Sequence, residues 1–378
     1  MLDFRFEEWK IHQTEGAEYV PNLARPNVPD VGGDLTIVAF NVLNYFTTMG
    51  SRGANNAEEF QRQEDKIVSA ILEMDADVLG LMEIENNDDV AVNSLVDALN
   101  ERAGENRYEA IETGRLGTDE ITTAIIFQSE TVEPVGDYQV LDDRVGERFE
   151  TSRHRPALAQ TFSPVAETAS AEEVLSEFTM ATNHLKSKGS ECGSEDDNTH
   201  LVGSCDAERT AAALVDWVDA EDMPRPVITG DLNTYDQEAP ITTLKDGGYT
   251  DLREHFDGEE AYSHVFDGQL GYLDYAMAGE ELMPFVTGAA SWHANPDEVP
   301  IFDYTTRFKQ PAQQSRGDRW DRHGGHKYPG LQRGKTAGGL EALGGHQLQA
   351  GDHEHHDGGV NARAPRKEKY QRSHPPRP

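Results

Sequence analysis

An α/β layered domain, with helices packed outside central sheets, is the fold class this sequence predicts. Short apolar runs of strand length alternate with amphipathic stretches of helical period early in the chain, and strand-like runs dominate later. At 37% hydrophobic, the 378 residues can bury a sizeable core, as one large domain or two smaller ones.

In chain order, residues 1–33 are mixed in composition, with Pro21, Pro26 and Pro29 ahead of Gly32 and Gly33. They are expected to be a linker or the remnant of a preceding domain. Leu35-Thr-Ile-Val-Ala-Phe40 is an apolar run suited to a buried strand. From Asn56 to Met74, Phe60, Ile67, Val68, Ile71 and Leu72 fall on one helical face. Asp77-Val-Leu-Gly-Leu-Met82 is a second buried strand, and residues 88–102 read as a helix with Val92, Leu95, Val96 and Leu99 on its face. Strands are expected at 122–127, 157–162, 178–183, 227–229 and 272–278, and a helix at 207–218. The folded domain is expected to span 34–313.

The stretch from about residue 314 differs. Residues 315–378 hold 12 of the 34 Gly and seven of the 14 His, but only five Leu, Val, Ile or Phe. So few apolar groups do not offset the entropy of ordering the chain, which predicts a disordered tail. Charge divides at the same place. The net of -36 is the sum of +5 over 315–378 (12 Lys+Arg, 7 Asp+Glu) and -41 over 1–314 (21 and 62). This acidity argues against holding nucleic acid by a broad basic surface. Only six of residues 1–314 are Lys, and such a surface suits concentrated salt; a halophilic source is expected, with an acidic mesophilic protein as the alternative.

No apolar run reaches the ~18 residues of a membrane-spanning helix, and the N-terminus lacks the apolar stretch of a signal peptide. No membrane association and no protein partner are inferred. Cys192 and Cys205 are the only cysteines, and their spacing excludes a CxxC zinc pair. A loop-closing disulfide, which would place the chain in an oxidising compartment, is preferred over two free thiols.

Polar residues stand at the ends of the apolar strands, where α/β folds place their sites. Asn41, Glu83 and His184 each follow a strand, Asp231 and Asn233 follow another, and Asp274 lies within Tyr272-Leu-Asp-Tyr275. Singly, each is a turn former or a satisfied polar group; together they suggest a site.

Phe-Asn41-Val-Leu-Asn44, Gly-Leu-Met-Glu83-Ile-Glu85-Asn86, Asn183-His184-Leu-Lys186-Ser-Lys188, Gly230-Asp231-Leu-Asn233 and Gly271-Tyr-Leu-Asp274-Tyr stand in that order. This order resembles the endonuclease/exonuclease/phosphatase superfamily. Arg52-Gly-Ala-Asn-Asn and Phe308-Lys-Gln-Pro-Ala-Gln look like its secreted bacterial nuclease branch, and the likeness covers about residues 20–313. It implies a four-layered sandwich of two central β-sheets flanked by helices. It also implies a hydrolase that uses Mg²⁺, or Mn²⁺ or Ca²⁺, to bring water onto the phosphorus of DNA, and of RNA as a further candidate, outside the cell.

A Mg²⁺-type ion needs only one or two protein carboxylates, with water and phosphate completing its shell. By the resemblance, Glu83 is the metal carboxylate and Asp231 the residue that orients or deprotonates water. Asn233 and Asn41 are neutral amides able to hold phosphate or Asp231. His184, protonated or donating, would stabilise charge on phosphorus. Asp274 resembles an Asp near the metal and a catalytic His, with a structural strand Asp as the alternative. Arg155 and Arg209 are candidates for phosphate contact or for structural ion pairs. Lys186 and Lys188, two of the six lysines, flank His184 and either admit the polyanion or form a solvated loop. Glu85 is a second ligand or, preferably, a strand-end charge.

One motif is missing. The superfamily ends on a strand carrying Ser-Asp-His-Asp-Pro, and after Gln314 apolar patterning stops. The cluster 352–357, Asp-His-Glu-His-His-Asp, lies among glycines and is read as an adventitious metal binder rather than a substitute. A frameshifted end and a clipped N-terminus are expected. Two further readings therefore stand beside the nuclease: a phosphatase or phospholipid phosphodiesterase of the same fold, and an inactive relative that binds phosphate or metal.

Overall fold

The computed structural model describes residues 2–5, 8–11, 26–145, 148–165, 175–188, 207–266, 269–296, 303–306 and 340–344. Cys192 and Cys205 lie outside the described residues, as does the His/Asp cluster at 352–357. Among the described residues no helix is long and apolar enough to cross a membrane.

The chain opens with a hairpin, β1 (Leu2–Arg5) and β2 (Glu8–Ile11). The main fold begins with β3 (Leu35–Tyr45), α1 (Ala57–Met74), β4 (Val78–Glu85) and α2 (Val90–Ala103). It continues with β5 (Tyr108–Ala110), β6 (Ile121–Gln128), β7 (Val132–Leu141), β8 (Ala157–Pro164) and β9 (Phe178–His184). Next come α3 (Ala207–Ala220), β10 (Pro226–Asp231), α4 (Ala239–Asp246), β11 (Tyr249–Asp251) and α5 (Leu252–Asp257). The short hairpin β12 (His264–Phe266) and β13 (Gln269–Gly271) leads into β14 (Asp274–Gly279) and β15 (Val286–Ser291). The last strand is β16 (Leu340–Gly344).

Two six-stranded sheets form the centre, in the orders β15-β16-β3-β4-β6-β5 and β11-β14-β10-β9-β8-β7. Leu35, Ile37, Val78, Ile125 and Phe127 of the first sheet meet Leu158, Phe162, Met180, Val227 and Ala276 of the second. On the outer face of the first sheet, Val38, Phe40, Leu79 and Leu81 pack with Ile67, Ile71, Leu95 and Leu99 of α1 and α2. On the outer face of the second, Ala181, Ile228 and Met277 pack with Leu214, Trp217 and Leu244 of α3 and α4. The result is the four-layered α/β/β/α sandwich expected. Gly80 is needed where the sheets touch, because a Cβ there would overlap the side chains of Thr182 and Met180.

The helices start where local chemistry allows. Asn56 caps α1 by accepting from the backbone N–H of Glu58 and Glu59 at 3.1 and 3.0 Å. Glu59 then anchors a distant segment: its Oε1 accepts from the N–H and hydroxyl of Thr306 at 2.7 and 2.6 Å.

Within the stretch expected to be disordered, the described residues 340–344 form a strand. Residues 340–344 pair in parallel with both β3 and β15. Leu340-Glu-Ala-Leu-Gly344 carries two of the five Leu, Val, Ile or Phe residues of 315–378. Its pairing meets the backbone groups that β3 and β15 would otherwise present as bare edges.

Candidate active site

Strand parity builds the site. Side chains on a strand alternate between its two faces. Along β3, Leu35 and Ile37 face the second sheet, so Asn41 continues that face. Phe178 and Met180 do the same for His184, Val227 for Asp231, and Ala276 for Asp274. The register then aligns three of them: Asp231 is paired with His184 in parallel and with Asp274 antiparallel. All four reach the gap between the sheets at one end of the sandwich.

Glu83 breaks the parity. Leu79 and Leu81 face the helices, and an uninterrupted strand would send Glu83 the same way. The β4 register shifts between Met82 and Ile84, and Glu83 takes a φ of 65°. This bulge turns the carboxylate back toward the second sheet. β3 shifts between Asn41 and Tyr45, with Leu43 and Asn44 at φ 53° and 50°. Positive φ in non-glycine residues is costly, and here it accompanies the bulges that aim Glu83 and bring the Asn44 N–H to it.

Hydrogen bonds hold the set. Asn41 Nδ2 donates to Glu83 Oε1 at 3.1 Å and to Asp231 Oδ2 at 3.4 Å, bridging the two sheets. The N–H of Asn44 donates to Glu83 Oε2 at 2.9 Å, and the N–H of Leu43 to Asn41 Oδ1 at 2.9 Å. Asp231 Oδ1 accepts from the N–H of Asn233 at 2.9 Å, and Asn233 Nδ2 donates to the Leu185 carbonyl at 3.0 Å. His184 Nε2 stands 3.8 Å from Asp231 Oδ2. Ser263 Oγ donates to Asp274 Oδ2 at 3.4 Å, while Asp274 Oδ1 is buried with no partner among the described residues.

Electrostatics separate the roles. Burial, with Arg155 and Arg52 nearby, holds His184 well below the usual imidazole range. The neutral imidazole is therefore favoured over the cation that the sequence left open. Burial, and then the adjacent Asp231 and Glu83, push Asp274 well above the usual carboxylate range. Loss of water and the like charge of Asp231 beside it favour the protonated form of Asp274.

Arg155 is buried beneath this row. Its Nη1 donates to the Leu185 carbonyl at 3.0 Å, and its Nε lies 3.3 Å from Asp119 Oδ2. Asp119 also takes Arg52 Nη1 at 3.0 Å. The structure places Arg155 in an ion pair with Asp119, with its charge also felt by Glu83 and Asp231. Lys186 Nζ turns to the carbonyl of Ser187 at 2.8 Å, and Lys188 is held by Glu238 at 2.7 and 2.8 Å. Arg209 is exposed in the first turn of α3. Glu85 is structural: its Oε2 accepts from the N–H and hydroxyl of Thr47, both at 2.8 Å. Sequence reasoning passed over Asp119, Ser263 and Glu238, which lie in loops without strand-end patterning.

Among the described residues no three His, Cys, Asp or Glu side chains form a protein-only metal cage. A Mg²⁺-type ion needs only one or two protein carboxylates, with water and phosphate completing its shell. Glu83, half-buried and oriented by Asn41 and Asn44, has the free lone pairs and exposure for such an ion. The convergence of Glu83, Asp231 and Asp274 leaves negative charge that a divalent cation would offset.

The model for the Endonuclease/Exonuclease/phosphatase family matches residues 38–308. No curated protein matches the chain. Among solved structures, the human nocturnin catalytic domain with bound sulfate is 18% identical at a TM-score of 0.42, covering 64% of this chain and 81% of that one. D. rerio TDP2 complexed with a single strand DNA product is 14% identical at a TM-score of 0.41, covering 65% and 84%. Bacteroides thetaiotaomicron mannosyl-6-phosphatase is 15% identical at a TM-score of 0.41, covering 65% and 85%.

Proposed function

The chain belongs to the endonuclease/exonuclease/phosphatase family, and from that premise we propose that it is a divalent-metal-dependent phosphodiesterase acting on nucleic acid outside the cell. DNA is the first substrate, RNA a further one, and little sequence preference is expected. The observation that carries this reading is the buried row His184–Asp231–Asp274 facing Asn41 and Glu83 across the two sheets.

In this reading Glu83, its carboxylate oriented by Asn41, would hold the Mg²⁺-type ion. When bound, the ion supplies positive charge to a phosphate oxygen and to the developing transition state. The chain's own residues do the rest. Asp231, with Oδ1 fixed by the Asn233 N–H, orients a water and takes its proton as the water oxygen bonds to phosphorus and the bond to the leaving oxygen breaks. Neutral His184 donates toward the non-bridging oxygens, where charge accumulates. Asp274, pushed toward its protonated form by burial and by the neighbouring Asp231, leaves Asp231 as the carboxylate that acts as base. Arg155 adds a fixed positive charge from below.

The test is nicking of supercoiled plasmid with Mg²⁺ or with EDTA, beside RNA and p-nitrophenyl phosphate, using Asp231→Ala and His184→Ala as controls. Mg²⁺-dependent nicking lost in both variants supports the reading, and cleavage of the monoester alone overturns it. A second reading has its own observation: buried Asp274 Oδ1 lacks a partner among the described residues. It is a relative that binds phosphate or metal without turnover, and its signature is wild-type activity equal to that of both variants on every substrate.

A further inference from the structure

The hairpin β12–β13 runs directly into Asp274. Its register pairs His264 with Gly271, Val265 with Leu270 and Phe266 with Gln269. Alternation therefore puts His264, Phe266, Gln269 and Gly271 on one face and Val265 and Leu270 on the other. The ring of Tyr235, two residues beyond Asn233, lies on the first face. It stacks on His264 at 6.1 Å between centroids and 17° between planes. Gly271 leaves room for it, since a Cβ there would stand 2.8 Å from Tyr235 Cε1. Lys188 Nζ lies 5.5 Å from the same ring.

Phe266 continues this face outward and is 58% exposed. The base of the hairpin is pinned to the site. Ser263 N–H donates to the Gly271 carbonyl at 2.9 Å and Ser263 Oγ donates to Asp274. Tyr262 stacks on His293 at 3.8 Å. Gln269, opposite Phe266, is five residues from Asp274, a reach of at most ~18 Å.

We propose that the Tyr235–His264–Phe266 face is a stacking platform, and that Phe266 takes an unpaired base of single-stranded nucleic acid whose phosphodiester lies at the Asp231 row. The inference rests on the phosphodiesterase reading and names its substrate form. Residues 1–314 carry a net -41, so the body repels a polyanion. Base stacking needs no charge, and every base offers a π face. A duplex keeps those faces inside its own stack, so an exposed ring on a short hairpin distinguishes single strands from double. Leu270, 65% exposed on the opposite face, would be equally engaged by a lipid surface or an apolar protein partner, but not by stacking.

The experiment uses the full chain carrying Asp231→Asn to suppress turnover, with Mg²⁺. Fluorescence anisotropy gives the Kd for a labelled mixed-sequence single strand and for its duplex. The single strand is expected to bind more tightly. Phe266→Ala should weaken it at least about fivefold, the lower end for one stacked base, Phe266→Trp should retain it, and Leu270→Ser should leave it unchanged. Plots of log Kd against log salt should stay parallel for Phe266→Ala and its parent, since no charge is removed. An unchanged Kd in Phe266→Ala, an equal loss in Leu270→Ser, or equal sensitivity with duplex overturns the platform. In the active chain, cleavage of single strands that is indifferent to Phe266→Ala overturns the platform alone. Cleavage of a phosphomonoester without binding of any nucleic acid overturns the phosphodiesterase reading as well.

Discussion

Gly230 has a φ of 118°, and a Cβ on it would overlap the carbonyl oxygen of Asn183 on the neighbouring strand. Glycine at this point brings Asp231 level with His184. Gly230→Ala should therefore cost roughly 3 kcal/mol, the upper range for one strained residue, and urea unfolding would measure it. Asp231→Asn keeps the shape while removing the base; kcat on DNA should fall about 10²–10⁴-fold with an unchanged urea midpoint. A coincident loss of folding would move Asp231 from chemistry to structure. Much of this was legible before folding. Asn41, Asp231 and His184 lie at even spacings from core residues of their own strands, so parity assigns their faces. Glu83 was legible only as a residue type: parity points it at the helices, and the bulge at φ 65° reverses that.

At the scale of elements, α1 is tied to residues 303–306 through one carboxylate. Burial pushes Glu59 up, but hydrogen bonds from Thr306 and Asn55 outweigh it and hold the group below the ordinary value of 4.5. The sign follows from a folded value below the unfolded one. The contribution is complete above about pH 4.5 and is lost as pH falls through the folded value. Glu59→Gln should lower stability by about 1.5–3 kcal/mol at pH 7, as for hydrogen bonds to a charged group, and much less at pH 3. Urea midpoints at the two pH values check this; an equal loss at both would show the charge to be irrelevant. A second expectation concerns β16. A chain ended at Gln314 leaves β3 and β15 with bare facing edges, so its thermal midpoint should drop and it should aggregate more readily. Composition did not reveal this strand, because five residues among 64 glycine- and histidine-rich ones leave no periodic signal.

The whole molecule carries its charge unevenly, with -41 on residues 1–314. Self-repulsion of that size weakens the compact state in dilute buffer and is screened as the Debye length shrinks to about 3 Å at 1 M salt. Thermal midpoint and DNA hydrolysis should both rise with KCl toward molar concentrations. Maximal activity in low-salt buffer would count against a halophilic source. On the proposed reading, the same charge requires phosphate to be met locally, by Asn41, His184, Arg155 and a cation at Glu83, rather than by a basic surface.

The sequence alone determined the α/β class, the two main helices and the strand ends that bear Asn41, Glu83, His184, Asp231 and Asp274, because hydrophobic period and motif order are local properties. Only the tertiary structure decided which of these meet. Pairing across β9, β10 and β14 aligns three side chains in one row, and sheet-on-sheet packing brings Asn41 against Asp231 from the other side. Burial then shifts their protonation, His184 toward the neutral imidazole and Asp274, beside the like charge of Asp231, toward the protonated carboxyl. Desolvation and the proximity of like charges arise between segments far apart in the chain, and no local pattern records them.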